Sequence, residues 1–109
     1  MLAALDDLGD ALARNVEIGN QVLGRIDRIR AQRESGQSWS DMVATGERPL
    51  IVELLSANIE RLSSSGSRLR RAQARALYDE GMTMEQIASY YGVTRQRVSA
   101  LLKDRPARD

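Results

Sequence analysis

Cysteine, histidine and phenylalanine are all missing from the 109 residues, and tryptophan occurs once. Without cysteine there are no disulfides, thiolate nucleophiles or zinc-finger ligands. Without histidine there is no imidazole for acid–base work. A nucleophile–base pair would have to come from weak combinations such as Ser with Asp, so the sequence predicts that the chain is not an enzyme. No acidic cluster suggests a carboxylate-only metal site, and the expectation is that no cofactor is used. The zero cysteine count fits a cytoplasmic protein.

Proline is scarce, at Pro49 and Pro106 only, so long helices can run uninterrupted. With no phenylalanine, the core must be filled by Leu, Ile, Val, Met and Ala, the usual content of an all-helical protein. Long apolar runs are lacking too. The most apolar stretch, Leu50 to Leu55, is broken by Glu53 and is far too short to span a bilayer. Asp6 and Asp7 stand where a signal peptide would carry bases. These features predict a soluble protein with no membrane partner and no targeting segment.

An excess of one charge is also absent, with a net charge of +1, but the charges are unevenly spread. Residues 1–66 hold 7 arginines against 10 acids, whereas residues 67–109 hold 9 basic residues against 5 acids. A basic end on a near-neutral chain predicts a local anionic partner.

What the sequence has is helical periodicity. Residues 1 to about 33 read as one long helix with Met1, Leu5, Leu8, Leu12, Val22, Ile26 and Ile29 on a seven-residue repeat, interrupted at Asn15 and Gly19. Such a helix would be roughly 50 Å long, more than so small a body can cover. The stripe formed by Leu5, Leu8, Leu12, Val22, Ile26 and Ile29 is therefore expected to pair with a second copy as a coiled coil. Residues 1–17 carry Asp6, Asp7, Asp10 and Glu17 against Arg14, and residues 18–33 carry Arg25, Arg28, Arg30 and Arg33 against Asp27. Opposite signs at the two ends favour antiparallel pairing; the alternative is a helix folded back on its own chain.

Ser35-Gly36-Gln37 stops this helix. Ser38-Trp39-Ser40-Asp41 resembles a capping box opening a short helix to about Ala44, ended by Gly46. Trp39, beside Met42 and Val43, is expected to plug the core. Pro49 suits a first helical turn, and a helix continues to Leu62. Its apolar residues (Leu50, Ile51, Val52, Leu54, Leu55, Ala57, Ile59 and Leu62) cover more than one face and predict burial on two sides. Ser63-Ser64-Ser65-Gly66-Ser67 reads as a flexible joint. The expected organisation is a dimerisation helix over 1–34, a short helix and a connecting helix over 35–66, and a third segment over 67–109.

That third segment carries the sharpest pattern. Ser67 can cap a helix through Glu80, with Leu69, Ala72, Ala76 and Leu77 on one face and Gly81 closing it. Thr83-Met84-Glu85-Gln86 is a capping box opening a second helix to about Tyr90. Gly92 falls where a tight turn needs positive φ. Thr94 caps a third helix to about Lys103, with Pro106 beyond its end. Ala88 supplies the small residue two steeply crossing helices need, and Ile87, Tyr91, Val93, Val98 and Leu101 fill the wedge between them. Arg95, Gln96, Ser99, Ala100 and Lys103 then face outward. These are the features of a helix-turn-helix.

Glu80-Gly81-Met82-Thr83-Met84-Glu85-Gln86-Ile87-Ala88, followed by Gly92-Val93-Thr94-Arg95-Gln96-Arg97-Val98, resembles helix-turn-helix DNA-binding domains. It is most similar to the promoter-reading C-terminal domain of sigma factors and the DNA-binding tail of resolvase-type recombinases. The resemblance covers residues 67–104 and implies that the helix from Thr94 enters the major groove. Nothing in residues 1–66 resembles a polymerase-binding region or a recombinase catalytic domain.

The residue chemistry agrees with the resemblance. Arginine makes bidentate contacts to guanine and glutamine to adenine, so Arg95, Gln96, Ser99 and Lys103 are the base-reading candidates. Arg70, Arg71, Arg75, Thr83, Thr94 and Arg97 are the candidates for phosphate. The fold expected is all-α: a long N-terminal dimerisation helix and a small bundle ending in a tri-helical helix-turn-helix. The function expected is sequence-specific binding of double-stranded DNA by a dimeric bacterial transcription regulator, nucleoid-associated in the cytoplasm. The alternative is a helical adaptor that binds RNA polymerase or another regulator.

Overall fold

The computed structural model describes residues 1–103; Pro106 lies outside them. Among the described residues the protein is all-α, with α1 (Leu2–Glu34), α2 (Trp39–Ala44), α3 (Ile51–Asp79), α4 (Met84–Tyr91) and α5 (Arg95–Lys103). The chain divides into two compact units, residues 11–62 and residues 1–10 together with the chain from Ser63. No helix is long and apolar enough to cross a membrane, among the described residues.

In the unit of residues 11–62, α1 and α3 run antiparallel, as their polar pairs show. Asn58 donates its amide to the Asn15 side-chain carbonyl. The Arg25 guanidinium donates to the Pro49 carbonyl, and Arg28 holds Glu47 through two hydrogen bonds of 3.0 and 2.7 Å. Ala11, Ile18, Val22, Met42 and Asn58 are buried. Asn15, which breaks the apolar repeat in the sequence, thus has a partner in Asn58, itself a buried polar residue of α3. A buried amide pair of this kind fixes register at some cost in stability.

Half of the expected dimerisation stripe is consumed by the chain itself. Val22 is buried, and Leu8 and Ile29 are half-buried, whereas Leu5, Leu12 and Ile26 remain exposed. The inward positions of α1 are Ala4, Leu8, Ala11, Asn15, Ile18, Val22, Arg25 and Ile29, a repeat of alternating four and three residues. The small side chains Ala4 and Ala11 conceal this seam in the sequence, where the larger leucines one position on suggest another.

Three further expectations are corrected. Trp39 is not a core plug; it is 58% exposed and stacks with the Arg33 guanidinium 5.3 Å from its ring centre. Ser38 does cap α2, accepting from the Asp41 amide, so the helix starts where the sequence predicts, but it turns Met42 inward instead. Pro49 precedes α3 rather than entering its first turn, and follows a cis peptide bond; Glu53 accepts from the Leu50 amide at the helix start. Finally, α3 is unbroken through Ser63–Ser67. Serine and glycine are poor helix formers, but tertiary burial overrides weak local preference. Ser65 and Ala72 are buried, and Arg68 lies 3.7 Å from Asp7 in the same unit.

Candidate nucleic-acid interface

The C-terminal part of α3, with α4 and α5, closes around its own small core. Ala74, Ile87, Ala88, Val98 and Leu101 are buried together, with Leu77, Met82, Met84, Tyr91, Val93 and Leu102 packed against them. Ile87 and Val98 are fully buried, each contributing about 1.5–3 kcal/mol of transfer free energy. The wedge residues expected from the sequence are all here. Ala74 was not among them; it is fully buried while Leu69, Ala76 and Leu77 are only half-buried. A lone alanine between Gln73 and Arg75 offers no hydropathy signal.

Chain reversals on either side of α4 are set by local chemistry. Gly81 and Gly92 both have positive φ, 107° and 68°, and the amides after them reach back, Met82 to Leu77 and Val93 to Ala88, at 3.0 Å each. This is the glycine-terminated helix end, which saturates orphan carbonyls. The start of α4 is a full capping box: Thr83 Oγ1 accepts from the Gln86 amide at 3.1 Å, and Gln86 Oε1 accepts from the Thr83 amide at 2.9 Å. Thr94 caps α5, accepting from the Arg97 amide at 3.1 Å. Two helices are thereby joined through Gly92 and Val93, with the Gly92 and Val93 amides closing α4 and Thr94 opening α5.

These ends gather polar side chains. Arg95, Gln96, Arg97 and Lys103 are exposed on α5, and Ser99 is half-buried. Arg95 Nε lies 3.2 Å from Glu85 Oε1, which ties the first turn of α5 to that of α4. Tyr78, Met82, Thr83, Glu85 and Arg95 line a shallow open groove there. The Glu85 contact is a feature that sequence reasoning missed, because the two residues lie ten apart across a turn, outside any helical spacing rule.

The arginines of α3 are placed differently from one another. The Arg70 guanidinium sits 5.4 Å from the Tyr91 ring centre, close enough for a cation–π contact. Arg75 is 4.0 Å from Asp79, and Arg71 is half-buried. Tyr91 donates its hydroxyl to Gln73 Oε1 and meets Tyr90 edge to face at 5.1 Å. Burial, and then the neighbouring Tyr90, push the Tyr91 hydroxyl above its ordinary value of 10.0, against the opposing pull of Arg70. Tyr91 therefore stays neutral as a strut between α3 and α4.

Residues 65–105 match the family of the homeodomain-like domain. This is a helix-turn-helix DNA-binding segment, and the match spans the last part of α3 with α4 and α5. No curated protein and no solved structure matches the chain.

Proposed function

We propose that the protein is a non-enzymatic, sequence-specific binder of double-stranded DNA that acts as a dimeric bacterial transcription regulator. The observation that carries this reading is the exposed first turn of α5. Arg95 and Gln96 stand on the solvent face of a helix whose opposite face, Val98 and Leu101, is locked into the core. A recognition helix needs this combination, because base edges are read only by side chains whose backbone is held rigidly against the duplex.

In this reading α5 enters the major groove, with Arg95 on guanine and Gln96 on adenine, and Ser99 and Lys103 further along the same helix. Arg70, Arg71, Arg75 and Arg97, with the hydroxyls of Thr83 and Thr94, meet phosphates and set the register. Both hydroxyls accept a hydrogen bond within the protein, so each keeps its proton free to donate to a phosphate oxygen. Glu85 acts as a buttress for the Arg95 guanidinium. One module of this size makes few base contacts, and a dimer reading two half-sites about 34 Å apart supplies the remaining affinity.

Selection of the full chain from a random duplex library, read by sequencing, tests the proposal. An enriched inverted repeat is the expected outcome. Failure to enrich any sequence at low salt overturns it.

A further inference from the structure

One face of α1 is covered by nothing in the chain, and its residues repeat with mirror order. Leu2, Leu5, Leu12, Val16, Leu23 and Ile26 are 39% to 71% exposed. Together with Gly9 and Gly19 they fall on a single stripe of alternating three- and four-residue steps, about 36 Å long. Monomeric surfaces rarely leave so continuous an apolar strip in water. Read from either end, the stripe gives large, large, glycine, large, then large, glycine, large, large.

The two glycines have no use within the single chain. Neither is at positive φ, and a Cβ at either would meet nothing within 4 Å. Glycine in the middle of a helix weakens it relative to alanine. What glycine permits here is a close approach by another backbone from outside.

The mirror order of the stripe selects the occupant. Because the run of large residues and glycines reads the same from either end, the helix that complements it position by position is α1 itself turned end for end.

We propose that the exposed stripe of α1 is a homodimer interface in which two copies pair antiparallel, each Gly9 facing the partner's Gly19. Leu12 then faces Val16 of the partner, Leu5 faces Leu23, and Leu2 faces Ile26. This deepens the dimeric reading above by naming its surface and register. It replaces Leu8, Val22 and Ile29, which the fold turns inward, with Leu2, Val16 and Leu23.

The test is sedimentation equilibrium of the full chain in the absence of DNA, and the wild type is expected to be a dimer. Leu12→Asp with Leu23→Asp buries unpaired charge in the pair alone, raising the dimer dissociation constant about a hundredfold or more. Both side chains are exposed in the single chain, so its helical circular dichroism is kept. Gly9→Ala with Gly19→Ala strengthens the helix yet overpacks the crossing, weakening the dimer roughly tenfold. Val43→Asp, on exposed α2, leaves it a dimer. The native chain has no cysteine, so orientation is read by mixing Leu5→Cys and Leu23→Cys chains and oxidising them.

Mixed disulfides dominate if the proposal holds, and like-with-like disulfides overturn it. A Leu12→Asp, Leu23→Asp chain that still sediments as a dimer overturns it, as does a monomeric wild type. A dimer broken by these substitutions that ignores every duplex would sink the DNA reading and leave the interface standing; a monomer that selects a DNA sequence would do the reverse.

Discussion

Arg95 illustrates what a single side chain contributes when its surroundings are fixed. Its pairing with Glu85 is exposed on both sides, 65% and 64%, so it adds little to stability. Its effect is on direction, holding a long flexible side chain near one place. Arg95→Ala is expected to weaken binding to a selected site by about 1–3 kcal/mol and to relax preference at one base pair. Binding isotherms on the selected site and its single-base variants check this. Unchanged binding would remove Arg95 from the reading face.

Tyr91 supports a pH prediction. Its folded-state value is raised above 10.0, so the stabilisation from the neutral side chain is complete below that value. It is lost as pH rises through the folded value. Chemical denaturation from neutral to strongly alkaline pH should therefore show stability falling above about pH 10, with a shallower fall in Tyr91→Phe. At neutral pH the same substitution removes the Gln73 hydrogen bond and costs about 0.5–1.5 kcal/mol. An unaltered alkaline limb in the variant would mean that Tyr91 is not the responsible group.

At the scale of elements, α3 is the most informative. Ser63 to Ser67 read locally as a joint, yet the helix passes through them. Serine-rich sequence loses only tenths of a kcal/mol per residue as helix, less than the burial of Ser65, Ala72 and Ala74 can offset. Gly66 is helical with open space where a Cβ would stand. Gly66→Ala is accordingly expected to stabilise the protein by up to about 1 kcal/mol. Gly92→Ala should instead destabilise it by about 1–2 kcal/mol, because an L side chain at φ 68° is strained. Thermal denaturation of the two variants in parallel checks both signs. If Gly66→Ala is the more harmful, α3 is not continuous in solution.

At the scale of the whole molecule, charge placement matters more than charge total. The net charge of +1 would not draw the protein to a polyanion, but the excess of basic over acidic residues from residue 67 onward falls on the segment that ends in α5. If Arg70, Arg71, Arg75 and Arg97 each neutralise a phosphate, log affinity should fall with log salt at a slope of roughly −3 to −4 per module. Fluorescence anisotropy across a salt series reads it. A slope near zero would indicate an apolar protein interface in place of a phosphate backbone.

The α4–turn–α5 part of the helix-turn-helix was legible in the sequence, because its caps and turn are specified by neighbours in the chain, whereas the expected cap at Ser67 lies inside the unbroken α3. Thr83 with Gln86, Gly81, Gly92 and Thr94 are caps and turns whose partners lie within a few residues, and Ile87, Ala88, Val98 and Leu101 declare their face by helical spacing. The existence of α1 and α2 was legible for the same reason. Left to long-range packing were which of two adjacent stripes on α1 turns inward, whether α3 breaks at its serines, where Trp39 points and what holds Arg95. Each depends on residues distant in sequence, such as Asn58 against Asn15 or Glu85 against Arg95. Their energies come from burial and packing, which no local pattern of residues encodes.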